Sequence, residues 1–137
     1  MIDVSSKVMK PDGNFSILSD LVGNKGDQVE LAVFDLDFKT VSDSRCSLAG
    51  LWRCEALEFQ DKLSGESIIC SPFSVFATTL GNTPARNLSL KHLIKEWSGE
   101  NSCLVKIGTR KVSIPVFQFT KPCYIIANKI FIYSEEF

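Results

Sequence analysis

The sequence predicts a mainly β fold with a minor helical part: a small closed barrel of about five strands, with one amphipathic helix between strands 3 and 4. Three observations predict it. Short apolar runs with period-two alternation, separated by turn signals, fill most of the chain. Only Ser89–Gly99 (SLKHLIKEWSG) has convincing helical spacing. Three strand-like runs precede that stretch and two regions of strand follow it.

Residues 1–14 read as a polar, flexible arm with Pro11-Asp12-Gly13 as a turn. Phe15–Val22 is a short apolar stretch, a lead-in strand or a single helical turn, and 23–27 (GNKGD) is a turn. Gln28–Phe38 is the best strand. Val29, Leu31 and Val33 share one face, then Phe34, Leu36 and Phe38 take over on the other. A period of two cannot change face without a bulge or bend, so this strand is expected to curve. Lys39–Gly50 is a polar loop containing Arg45.

Leu51–Gln60 repeats the exchange of face, and Asp61–Glu66 closes it into a hairpin with Ser67–Leu80. Pro72 in that third run cannot donate to a ladder and marks a break, a bulge or an edge. Gly81–Asn87 leads to the helix, where Leu90, Leu93, Ile94 and Trp97 form one stripe, Ser89 caps the first turn and Gly99 ends the last. Beyond it, Cys103–Ile107 and Val112–Phe119 flank a hairpin tip, Gly108-Thr109-Arg110-Lys111, with Pro115 implying an edge. Tyr124–Tyr133 is the last strand, apolar on both faces apart from Asn128 and Lys129. This order is that of an OB-like Greek-key barrel plugged by its helix.

A chain of 137 residues suits a single domain. Hydrophobic content of 45% against 23% charged residues argues against disorder. No uncharged apolar run approaches the roughly 18 residues that span a bilayer, and no secretory leader is visible, so no membrane partner and a cytoplasmic or nuclear location are expected, in a cell's own protein or a viral one. The five cysteines are odd in number and form no C-x-x-C pair, which suits reduced core thiols. Net charge is −1, unevenly spread: residues 1–85 carry seven Lys/Arg against twelve Asp/Glu, residues 86–137 eight against four. A fold that gathers the later cations would carry a basic patch.

Ala32–Ser44 (AVFDLDFKTVSDS) offers one catalytic motif. Its first half resembles the signature of haloacid-dehalogenase-type phosphatases, a hydrophobic strand ending in Asp-x-Asp-Gly-Thr. The resemblance implies that Asp35 is the nucleophile and Asp37 the general acid and base. Phe38 and Lys39 stand where that signature has Gly and Thr, and no Asp follows Asp61 to complete a magnesium site. The sole histidine, His92, falls on the polar helix face with no ligand partners nearby in sequence, so no metal and no cofactor are expected. The reading is therefore not an enzyme.

What the barrel supports is binding. Single-stranded nucleic acid needs cations for its phosphates and flat rings for its bases. The candidate rings are Trp52, Phe59, Phe73 and Phe76; the candidate cations are Lys39, Arg45, Arg53, Arg110, Lys111 and Lys121. The terminal Ser134-Glu135-Glu136-Phe137 is similar to the acidic, aromatic-ended tails of single-stranded DNA-binding proteins, a resemblance that implies docking of replication partners. The alternative is a protein–protein module, an inhibitor, immunity or viral accessory protein whose acidic first half suits a basic partner.

Overall fold

The computed structural model describes residues 2–42 and 45–134, and almost all of its elements are strands. In chain order they are β1 (Lys7–Met9), β2 (Phe15–Ile17), β3 (Gln28–Glu30), β4 (Val33–Phe34), β5 (Thr40–Val41), β6 (Arg45–Asp61), β7 (Ser67–Cys70) and β8 (Val75–Thr78). Then follow β9 (Gly81–Pro84), β10 (Ile94–Lys95), β11 (Asn101–Ser102), β12 (Leu104–Gln118), β13 (Cys123–Ala127) and β14 (Ile130–Ser134). Two single 3-10 turns, Leu18–Asp20 and Ala85–Asn87, complete the list, and among the described residues no helix is long and apolar enough to cross a membrane.

The strands form two antiparallel sheets that curl into a half-barrel. The larger runs β11-β10-β8-β14-β13-β1-β2, with β4 on β13, β5 on β4 and β9 on β8; the smaller runs β12-β6-β3, with β7 on β6. The mainly β expectation holds. The closed five-stranded OB barrel does not describe these two sheets, and the predicted helix is absent.

The helix fails for a physical reason. Of its apolar stripe only Ile94 is buried, at 1% exposure; Leu90, Leu93 and Trp97 are 64%, 39% and 51% exposed. Ile94 is buried because it pairs with Thr78 of β8 and Ser102 of β11. The open edge of β8 recruits this segment as a strand, and tertiary pairing overrides a helical pattern that has no core to face. The 15-residue β12 corrects a second expectation. It pairs with β6 along its length, with register shifts at Lys106/Gly108 and Val116/Phe117, and the supposed hairpin tip 108–111 lies inside the ladder opposite 55–58. Pro115 lies on this strand at the sheet edge.

The face exchange in 28–38 has a simple origin: β3 lies in the smaller sheet and β4 in the larger, so the chain crosses between them. The last apolar run is a hairpin, not one strand, turning at Asn128 and Lys129, both left-handed at φ 45° and 65°. Cys123, Ile125 and Ala127 of β13 enter the main core with Leu31, Phe59, Phe76 and Phe117, while Tyr124 and Ile126 enter a second core with Phe34 and Phe131. Burial on both faces explains why the run shows no alternation. Ile2, Val8 and Met9 are buried, so the segment read as a polar arm includes part of the larger sheet.

Candidate functional site

Both ends of the described chain meet at one turn. Strand β7 ends at Cys70, fully buried, and β8 begins at Val75; between them Ser71-Pro72-Phe73-Ser74 reverses the chain. The Ser74 N–H donates to the Ser71 carbonyl at 3.0 Å and the Phe73 N–H to Ser71 Oγ at 3.0 Å. Proline is well placed in such a turn because it presets φ and needs no donor partner. The following 3-10 turn braces it from outside: Ala85 N–H donates to the Ser74 carbonyl at 2.7 Å and Arg86 N–H to the Pro72 carbonyl at 3.1 Å.

On the entry side, Ile2 bridges Cys70 in antiparallel sense and Asp3 N–H donates to the Ile69 carbonyl at 2.8 Å. Asp3 is buried, and its Oδ2 accepts from Ser5 Oγ at 2.5 Å and from Ser5 N–H at 3.2 Å. On the exit side, Val75 and Phe76 pair with Tyr133 and Ile132, which brings Ser134 alongside; Ser134 in turn pairs with Cys123. Ser134 Oγ is buried with no hydrogen-bond partner among the described residues. A buried hydroxyl without a partner costs free energy, on the order of 1–3 kcal/mol.

The groups gathered here are hydroxyls, thiols and one carboxylate. Burial pushes the Cys70 thiol up to about 12 and the Cys123 thiol up to about 11, so both keep their protons at neutral pH. His92 lies elsewhere, in the loop after the 3-10 turn, where its Nδ1 accepts from the Ser89 N–H at 3.0 Å. Among the described residues no group of three His, Cys, Asp or Glu is placed to hold a metal. Sequence reasoning missed Asp3, Ser71, Ser74, Cys123 and Ser134. Pro72 was the only local signal, and it marked a break without revealing what meets there.

The residues picked for nucleic acid scatter. Phe59 and Phe76 pack on each other in the core at 6.5 Å. Trp52 and Phe73 do meet, 6.0 Å apart and exposed, with the Arg86 guanidinium 5.0 Å above Phe73. Arg53 is exposed on β6 opposite Ser113, Arg110 is paired to Glu58 at 3.0 Å, and Lys111 faces Glu55 across the ribbon. Arg45 and Lys121 line one cleft of about 230 Å3 with Asp35, Val41, Phe119 and Cys123, while Lys39 sits exposed in the β4–β5 turn. The Glu135-Glu136-Phe137 tail lies outside the described residues.

Asp35 acts in the turn: its Oδ1 accepts from the Asp37 N–H at 2.8 Å and the Lys39 N–H at 3.1 Å. The strand before it pairs antiparallel with β5 and β13, not in the parallel sheet that the phosphatase resemblance implies.

No protein-family model matches the sequence, and no curated protein sequence matches it. Solved structures do match along nearly the whole chain. A DnaB intein from Synechocystis sp. PCC 6803 aligns at TM-score 0.65 and 18% identity, covering 98% of this chain and 97% of its own. An intein-like domain from Clostridium thermocellum aligns at TM-score 0.63 and 13% identity over 96% of each chain. The gp41-1 intein aligns at TM-score 0.56 and 16% identity, covering 95% of this chain and 94% of its own. These neighbours overturn the binding-module reading, with its single-stranded nucleic-acid partner, and the expectation that the chain is not an enzyme. The fold is the one these inteins and the intein-like domain share, and not an OB barrel.

Proposed function

We propose that this chain is an autoprocessing domain of the intein-like kind, acting on peptide bonds at its own two boundaries. The observation that carries the reading is the meeting of both ends at the Ser71–Ser74 turn, within a fold shared end to end with inteins. Cutting a boundary bond by acyl transfer needs a hydroxyl or thiol that attacks the carbonyl carbon. An ester or thioester forms, the C–N bond breaks, and the nucleophile's proton ends on the released amine. Ser71, Ser74, Cys123 and Ser134 are the nucleophile candidates. Asp3 is the proton carrier, a buried carboxylate two residues after Met1, already accepting hydrogen bonds.

The test places the full chain between two unrelated folded reporter proteins and follows the purified precursor by gel and intact-mass spectrometry. Shortened or joined reporters are expected, with cuts at the boundaries of this chain. Asp3→Asn should slow their appearance by a factor of about 100 or more while leaving the precursor folded. Precursor that stays whole for days between pH 6 and 9, under reducing conditions, would overturn the proposal.

A further inference from the structure

A cleft opens where the smaller sheet hands the chain to the larger. Strand β12 belongs to the smaller sheet and β13 to the larger, so residues 119–122 cross between them. Phe119, Lys121 and Cys123 line the cleft, about 230 Å3 in volume, together with Val33 and Asp35 from β4 and its turn and Arg45 from the start of β6. That volume lies below the roughly 300–1,000 Å3 of pockets for drug-sized molecules, so an occupant must be compact.

Floor and rim differ in chemistry. Val33, Phe119 and Cys123 are buried, and burial holds the Cys123 proton with a pKa pushed up to about 11, so the floor carries no charge at neutral pH. Arg45 and Lys121 are exposed at the rim. The one carboxylate in the lining, that of Asp35, is committed to its own turn, where Oδ1 accepts from the Asp37 and Lys39 N–H groups. Lys121 makes no ion pair among the described residues. The wider cleft beside Trp97, about 390 Å3, offers less: its Lys129 is paired with Asp61 at 3.7 Å, and its Asn128 amide is spent on Lys7 and Ser67.

We infer that the cleft between the sheets binds a small organic carboxylate, with its apolar body on Val33, Phe119 and Cys123 and its charge at Lys121. Arg45 adds a second positive charge to the same rim. A bare inorganic anion would leave the apolar floor in water, and an uncharged molecule would leave the ammonium unpaired. The site stands apart from the autoprocessing reading, with which it shares only Cys123.

The experiment titrates the full chain with benzoate, benzyl alcohol and benzylamine, one ring bearing a negative, a neutral or a positive head, and follows the backbone amides by NMR. Benzoate should saturate with a Kd of about 1 mM or tighter, its shifts centred on residues 33, 41 and 119–123. Benzyl alcohol should bind at least about tenfold more weakly, and benzylamine more weakly still. Lys121→Ala should cut benzoate affinity at least about tenfold and leave benzyl alcohol within about twofold, a split that a damaged fold cannot produce. The site is overturned by benzoate binding no tighter than benzyl alcohol, by a titration still unsaturated at about 20 mM, or by shifts centred elsewhere. A Lys121→Ala variant that holds benzoate as well as the parent overturns it too. Cleavage is not read, so none of these outcomes bears on the autoprocessing proposal.

Discussion

At the scale of single residues, the left-handed backbone positions show where side chains are held for their contacts. Phe38, at φ 63°, closes the β4–β5 turn; its ring lies 4.7 Å from Tyr124 and 4.8 Å from Phe131, with Lys95 Nζ 4.8 Å above it. The aromatic contacts offset a conformation that costs a non-glycine residue about 1 kcal/mol or more. Asn128, at φ 45°, is better suited, because asparagine tolerates this region and its amide is fully used. Oδ1 accepts from the Lys7 N–H at 2.8 Å and Nδ2 donates to the Ser67 carbonyl at 3.1 Å. Asn128→Ala should lose both bonds and add backbone strain, lowering stability by about 2–3 kcal/mol in urea denaturation. Asn128→Gly loses the bonds but relieves the strain, so it should cost about 1 kcal/mol less. Equal losses for the two variants would show that the backbone is not strained.

At the scale of elements, the open edge of β8 decides the fate of 89–99. Ile94→Ala removes a side chain packed in the main core and should cost about 2–4 kcal/mol. Leu90→Ala, at 64% exposure, should change stability by under about 0.5 kcal/mol. Had the segment been an amphipathic helix, the two losses would be comparable, and comparable losses would refute the strand assignment. The segment also shows how much the sequence carried. Period-two runs, the 61–66 turn between β6 and β7, the break at Pro72 and the edge position of Pro115 were legible because each rests on local backbone chemistry. Sheet membership was not, since it depends on which distant edge lies open. The same limit made Gly108 read as a tip when it marks a bulge in a long strand, and hid the turn inside 124–133 because asparagine and lysine stand where glycine would have signalled it.

At the scale of the whole molecule, the buried thiols couple stability to pH. Cys46 and Cys70 are pushed up to about 12 and Cys123 to about 11, above the ordinary value of 9.0, by burial first, with Cys123 adding to the shift of Cys46. The folded chain keeps these protons where the unfolded chain would release them. Their contribution is complete below pH 9 and is lost as pH rises toward 11–12, by up to about 1.4 kcal/mol per thiol per pH unit. The urea midpoint should therefore fall clearly between pH 8 and pH 10.5, and a constant midpoint would show that the thiols ionise as freely when folded. The candidate site belongs to this scale too. Residues 3, 71, 74, 123 and 134 come from segments that the Ile2–Cys70 bridge and the pairing of β14 with β8 and β13 bring together, so no local motif announces them.

Because entry and exit are pinned to opposite shoulders of one reversal, the chain leaves the domain almost where it came in. One turn therefore holds both the first and the last strands of the described chain, so a change there disturbs both together.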